Sequence, residues 1–356
     1  MSSNNKPLVT GLIPSYNHAK YIKESIQSMI DQDYENMEMI IIDDGSSDNS
    51  IEIIESMIPL CKKRFKRFEF RHRENQGVSA TLNEAIKWSK GQYLSPLASD
   101  DIALSYKISF LVEKIENSNY PAVFGNIKRI GEQNNLNNNI KDITIHTFDK
   151  IFTLQNRPFA PSSLYKIKKL KEIGGYPINI AVEDWYMELK LTENGDSLIS
   201  YPEVLTYYRM HKNNTSKNYE LLYQNAIKIA NLYKNNYLYP QVIKLCNMFL
   251  IRSSIKNNSY SQTYYDILNK LEIQTKKFRN SNKKIVIYGN GTIYDLIKKY
   301  LSEKTVVFHK DNIGQIKNTD FDIILISAIG YEDEITNLLI TLYNIHRNKI
   351  KTFKLE

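Results

Sequence analysis

Cysteine is nearly absent from this 356-residue chain: Cys61 and Cys246 stand alone and far apart. Two isolated thiols supply neither a disulfide framework nor a cysteine-rich zinc site, which fits a reducing compartment. No apolar run approaches the roughly 18 residues that a membrane span needs. Met1 to Leu8 is polar and lacks the apolar centre of a signal peptide. These absences predict a cytoplasmic protein, at most peripheral on the inner face of the cytoplasmic membrane. Positive charge is in excess, 47 Lys and Arg against 39 Asp and Glu for a net +8, but it is not gathered into a nucleic-acid-binding motif. One local basic run, Lys62-Lys63-Arg64 with Lys66-Arg67, reads as a solvated face, so no nucleic-acid partner is expected. A Ser-His-Asp or Cys-His arrangement is also missing, which speaks against a covalent nucleophile.

What is present is an alternation of short apolar runs with helix-like segments from Leu8 to about Lys217. Leu8 to Ile13 reads as a buried strand that Pro14 stops, and Ile22, Ile26, Met29 and Ile30 follow at helical spacing. Met37 to Ile42 is a second strand, and Asp48 or Ser50 can cap the helix after it. Phe68-Glu69-Phe70 is a third strand, Gly77 opens a helix that Gly91 closes, and Gln92 to Leu97 is a fourth strand. Four such repeats predict an α/β fold with a doubly wound, mostly parallel sheet, whose ligands collect at the C-terminal strand ends. Asn134 to Asn139 reads as a polar loop, and residues 218–281 turn helical. A fresh βαβ unit then runs from Ile285-Val286-Ile287-Tyr288 through Gly289-Asn290-Gly291 to Ile323-Ile324-Leu325-Ile326. The length and pattern divide the chain into 1–217, a helical linker or docking segment 218–281, and a small Rossmann-like domain 282–356.

Three acidic clusters punctuate this pattern: Asp43-Asp44-Gly45-Ser46-Ser47, Ser99-Asp100-Asp101 and Glu183-Asp184-Trp185. Breaking a sugar–diphosphate bond leaves negative charge on the departing group, and a divalent cation on carboxylates stabilises it. Asp100 and Asp101, adjacent at a strand end, suit Mn²⁺ or Mg²⁺, with Asp101 the expected direct ligand. Asp44 is placed to accept a hydrogen bond from a pyrimidine N–H, and Tyr16 to stack on the base. Each pair alone also describes an ordinary turn; their order on consecutive strand ends favours a site.

Ile13-Pro14-Ser15-Tyr16-Asn17, Asp43-Asp44-Gly45-Ser46-Ser47-Asp48, Asn75-Gln76-Gly77 and Ser99-Asp100-Asp101 together resemble the signature series of family-2 glycosyltransferases with the GT-A fold. The resemblance covers about Pro7 to Lys217. It implies an inverting transfer from a nucleotide-sugar, usually with Mn²⁺ or Mg²⁺, to a glycan or glycolipid acceptor of a bacterial surface polysaccharide. By that resemblance Pro14, Tyr16, Asn17, Asp44, Asn75 and Gly77 hold the nucleotide, and Asp100 and Asp101 hold ribose or metal. Asp184 stands in the place of the general base, flanked by Glu183 and Trp185 on the acceptor side. Tyr207 to Ser216 resembles the segment that closes the site, where His211 ligates the metal or touches the diphosphate and Arg209 offsets phosphate charge. One departure stands out: many members carry an acid where this chain has Ala98.

The glycine turn at Gly289 follows a strand and precedes a helix, as a dinucleotide site demands, but Tyr294 replaces the third glycine. Docking of an assembly partner, a second copy or an anionic membrane face is therefore expected of the C-terminal region, rather than chemistry. The alternative to an enzyme is a nucleotide-sugar-binding scaffold protein that has lost turnover, with Ala98 as its support.

Overall fold

Two nearly continuous apolar runs, Val9–Ser15 (β1) and Met37–Asp43 (β2), pair in parallel and are almost wholly buried, as strands covered on both faces must be. The computed structural model describes residues 6–131, 141–212, 214–281, 283–289, 291–302, 305–309, 311–328 and 332–354. The Asn134–Asn139 insertion and Asn290 of the glycine turn lie outside the described residues. Helices α1 (Ile22–Ile30), α2 (Ser50–Arg64) and α3 (Val78–Trp88) alternate with β3 (Phe68–His72) and β4 (Tyr93–Pro96). The order β3-β2-β1-β4 is parallel throughout, so all four C-terminal ends open on one edge. The loops 16–21, 44–49, 73–77 and 97–101 therefore gather there.

The sheet then becomes mixed. After β5 (Ile102–Ala103) and α4 (Lys107–Glu116) come β6 (Ala122–Gly131), β7 (Thr144–His146), α5 (Phe148–Phe152), β8 (Ser163–Lys166), α6 (Ile167–Ile173), α7 (Glu183–Thr192) and β9 (Leu198–Met210). The path of the sheet is β3-β2-β1-β4-β8-β6-β9-β5, with β7 on β9. β8 runs antiparallel to β4 and β6, and β5 runs antiparallel to β9 with Ile102 opposite Tyr207. That last short pairing brings the Ser99-Asp100-Asp101 turn beside the end of β9. Ile13, Ile26, Met29, Ile41, Ile54 and Leu111 share the core on one face of the sheet.

The N-cap of α2 is Asn49, without a side-chain cap bond, rather than Asp48 or Ser50; Asp48 beside it accepts the Ser50 N–H at 3.0 Å through Oδ1. Gly77 has φ +87° and ψ 159°, a conformation nearly confined to glycine, and it turns the chain into α3.

Residues 218–356 form a second compact unit. It holds α8 (Tyr219–Leu232), α9 (Tyr239–Asn257), α10 (Gln262–Arg279), β10 (Ile285–Tyr288), α11 (Thr292–Ile297), β11 (Val306–Phe308), β12 (Ile323–Ile326), α12 (Glu332–Tyr343) and β13 (Ile350–Thr352). The four strands are parallel in the order β11-β10-β12-β13. The sequence separates 218–281 from 282–356, yet the structure joins them. Met248, Ile251, Tyr264 and Leu271 of the helices share one core with Ile287, Leu325 and Phe353. An amphipathic helix must bury its apolar stripe, and the small sheet supplies the cover. Both cysteines are free and buried. No helix among the described residues is long and apolar enough to cross a membrane.

The boundary has a testable consequence. A chain cut after Lys217 keeps the first core whole and is expected to unfold in one cooperative transition in urea. A cut after Lys276 strips Ile287, Leu325 and Phe353 from the second core and is expected to aggregate, as read by size-exclusion chromatography.

Candidate functional site

The strand-end loops are tied to one another before any ligand is considered. Asp43 closes its own turn, accepting the Ser46 N–H at 2.8 Å and the hydroxyls of Ser15 and Ser46 at 2.9 and 2.6 Å. Asn17 adopts φ +54°, donates its N–H to Ser46 Oγ at 2.8 Å and accepts the Ser47 N–H at 2.8 Å. Asp44 is buried, and its two oxygens accept the N–H groups of Gln76 at 2.9 Å and Gly77 at 2.8 Å, with Arg73 as its ion-pair partner. Gly45, at φ +82°, lets the Asn75 backbone approach so closely that a Cβ there would meet its nitrogen at 2.9 Å. Tyr16 projects from this edge with 49% of its surface exposed, an open aromatic face beside Pro14. Asn75 is exposed on the adjoining loop.

A second set of contacts holds the Asp100–Asp101 turn against β9. The Arg209 N–H donates to Asp101 Oδ1 at 2.8 Å, and its side chain donates to the Asp100 carbonyl at 2.9 Å and to Glu24 at 2.6 Å. His211 Nε2 lies 2.9 Å from Asp100 Oδ2, and the His18 Nε2 lies 3.9 Å from the same oxygen. Asn214 Nδ2 also reaches that oxygen, at 3.4 Å. The donor atoms of His18, Asp100 and His211 all lie within 4.8 Å of one another. Two imidazoles and one carboxylate are a fitting donor set for a divalent first-row ion. Burial lowers the His18 pKa, against the pull of Asp100.

Asp101 does not join this cluster. The sequence makes it the direct ligand, but its carboxylate turns inward, fully buried, and its Oδ2 has no hydrogen-bond partner among the described residues. Burial first, and then Asp100, push its pKa well above the usual carboxylate range. Beneath it lies Lys107, also fully buried and lowered to about 7 by burial, whose Nζ donates to the Pro161 carbonyl at 2.8 Å.

The first turn of α7, which the sequence assigns to the acceptor side, is organised by Arg157, a residue that the sequence does not single out. Its guanidinium donates twice to Glu188, at 2.7 and 3.0 Å, and lies 3.1 Å from Asp184 Oδ2. Asp184 Oδ1 also accepts the Trp185 N–H at 2.7 Å, in the first turn of α7. Trp185 itself faces the core, donating Nε1 to the Ile151 carbonyl at 3.0 Å and stacking on Phe152, so it offers no surface to an acceptor. Glu183, half-buried by area, is raised to about 8, by burial first and Asp184 second. A cleft of about 620 Å³ takes in Pro14 and Ala98 from the strand ends, Arg129 and Arg157, and Glu183 and Asp184 from α7. A shallower depression of about 700 Å³ at Gly91, Tyr93 and Lys168 holds none of these residues.

The structure thus brings Pro14, Ala98 and Asp184 to one cleft and gathers His18, Asp100 and His211 at the strand edge. Asn17 and Asp44 brace loops, and Arg209 braces the Asp100–Asp101 turn, while the backbone of Gly77 serves Asp44. His18 carries the only missed signal readable from sequence, an imidazole one residue past the Tyr16-Asn17 turn; Arg73 and Arg157 carry none.

The Glu183 shift has a sign that can be measured. A carboxyl raised from 4.5 to about 8 holds its proton more tightly in the folded state. The folded state keeps it neutral up to about pH 8, so stability is greatest below about 4.5, where the unfolded chain is neutral too, and is lost as pH rises from there toward 8. Glu183→Gln, which cannot ionise, is expected to raise the Tm more at pH 8.5 than at pH 5.

Comparison with known proteins places the fold in a family. The profile described as glycosyl transferase family 2 matches residues 11–174. An uncharacterized glycosyltransferase of Haemophilus influenzae is 30% identical over 231 residues, 64% of this chain and 88% of its own. The UDP-Glc:alpha-D-GlcNAc-diphosphoundecaprenol beta-1,3-glucosyltransferase WfgD of Escherichia coli is 27% identical over 216 residues, 59% of this chain and 80% of its own. The crystal structure of S. aureus TarS 1-349 in complex with UDP-GlcNAc has the same fold, with a TM-score of 0.55 at 21% identity over 75% of this chain and 77% of its own. Strand-end loops, a mixed sheet and these relatives lead to one conclusion: the chain belongs to glycosyl transferase family 2 and is a glycosyltransferase with the GT-A fold.

Proposed function

We propose that this enzyme transfers a sugar, with inversion, from a UDP-sugar to a hydroxyl of a surface-polysaccharide or glycolipid acceptor. The observation that carries the proposal is the approach of Asp100 and His211, 2.9 Å apart at the strand edge, in a domain whose cleft also holds Asp184. Asp100 and His211 would hold the divalent ion, in place of the Asp101 expected from the sequence. Bound there, Mn²⁺ or Mg²⁺ supplies positive charge for the leaving diphosphate. The acceptor oxygen attacks the anomeric carbon as the bond to the diphosphate oxygen breaks, and the nucleoside diphosphate leaves with the bonding electrons. Asp184 takes the hydroxyl proton, while Arg157 and the Trp185 N–H hold its carboxylate toward the acceptor. A single displacement of this kind inverts the anomeric centre.

Support for the donor comes from the exposed face of Tyr16, and from a relative named for UDP-Glc and a fold neighbour solved with UDP-GlcNAc. The diphosphoundecaprenol in that relative's name supports a lipid-linked acceptor, reached by peripheral contact with the membrane. The C-terminal unit is assigned to docking.

Release of nucleoside diphosphate from a panel of nucleotide-sugars tests the reading, with UDP-sugars and Mn²⁺ expected to give the highest rate. Asp184→Asn is expected to lower transfer by roughly 10²-fold or more, with UDP binding retained in calorimetry. Near-native transfer by that variant would remove Asp184 from the role of base.

A further inference from the structure

Resting on the metal-dependent reading above, we infer that His18 is a third protein ligand of the ion and supplies the donor that Ala98 lacks. His18, in the loop that leads into α1, is held through its backbone and its ring. Its N–H donates to Ser50 Oγ at 3.1 Å, and its carbonyl accepts the N–H groups of Tyr21 and Ile22 at 2.8 and 2.9 Å. Its ring Nδ1 lies 2.7 Å from Ser99 Oγ, on the same turn that carries Asp100. With Nδ1 donating to that hydroxyl, Nε2 keeps its lone pair, the tautomer a metal ligand needs. This Nε2 is 3.9 Å from Asp100 Oδ2, beyond hydrogen-bonding reach, and it makes no hydrogen bond among the described residues.

The second imidazole is aimed at the same place. The rings of His18 and His211 meet edge to face at 5.6 Å, and Tyr21 stacks on His211 at 5.1 Å and holds it there. Donors on opposite sides of an ion with bonds of about 2.1 Å stand about 4.2 Å apart, so donors already within 4.8 Å close on an ion with a small contraction. A histidine that merely tied two loops together would be served by its Nδ1 and backbone contacts alone.

The donor set also selects the ion. Mg²⁺ favours oxygen ligands and retained water, whereas imidazole nitrogen binds later first-row ions better. Two imidazoles with one carboxylate therefore favour Mn²⁺ over Mg²⁺, and His18 is the group that tips this balance.

Electron paramagnetic resonance on the full chain tests the assignment, with Mn²⁺ titrated alone and then with UDP. Pulsed measurements on the unaltered protein are expected to show two imidazole nitrogens coupled to Mn²⁺. His18→Gln is expected to show one and to bind Mn²⁺ roughly 10-fold or more weakly, with a smaller loss for Mg²⁺ in competition. Ser99→Ala, which leaves all three donors but frees the His18 ring, is expected to fall between. Circular dichroism checks that each variant is folded, and the spectrum of the unaltered protein decides the matter if His18→Gln is not. A single coupled nitrogen there, or native Mn²⁺ affinity in His18→Gln, overturns the role of His18. If Asp100→Asn meanwhile loses the ion, the broader metal-dependent reading stands. Failure of the unaltered protein to bind Mn²⁺ in either condition overturns both.

Discussion

The hydrogen bond from the Arg209 N–H to the buried Asp101 carboxylate is the constraint on which the site depends. It joins a turn at the end of the parallel sheet to the last strand of the mixed half, across a large separation in sequence. Pairing of β5 with β9 brings the two backbones together, and Asp101 sets their register. Asp100 and His211 meet because Asp100 adjoins one partner of this bond and His211 lies two residues beyond the other. A buried carboxylate with one oxygen unpartnered carries a desolvation cost, offset in part by the opposite charge of Lys107. That cost is placed where it holds two site elements together.

The acceptor half follows a similar rule. Glu188 is fully buried, and Arg157 answers it with two parallel hydrogen bonds. Such a fork is geometrically rigid, so its Nη2, shared between Glu188 and Asp184, presents a fixed anchor to Asp184. Asp184, the base we propose, is thus held through a buried pair whose primary partner lies a helical turn further along α7. Substitution of Glu188 would therefore loosen the hold of Arg157 on Asp184 from a distance.

Much of this was legible in the residues. Apolar runs ending in Pro14, in Asp43-Asp44-Gly45 and in Ser99-Asp100-Asp101 mark strands whose ends carry polar turns, and periodicity places the helices between them. The choice between Asp100 and Asp101 was not legible. Which of two adjacent carboxylates faces inward depends on β5 meeting β9, a pairing of two residues that leaves no period in the sequence. Arg157 sits in an irregular segment, where no spacing rule links it to Glu188. In the second unit the apolar stripes of α9 and α10 were readable, but not what covers them, so a stretch read as a linker turns out to share the core of the small sheet.

The Lys107 ammonium touches the Pro161 carbonyl and faces Asp101, while Thr206 on β9 donates to the same carbonyl at 3.0 Å. One carbonyl is therefore a common hinge pin for the turn that bears Asp100 and the loop that borders the cleft. Fixed from two directions, it gives Pro161 a rigid place in the wall of the cleft. Any change in the width of the cleft is then left to its other lining residues, Arg129 and Tyr208 among them, while the Pro161 carbonyl stays where it is.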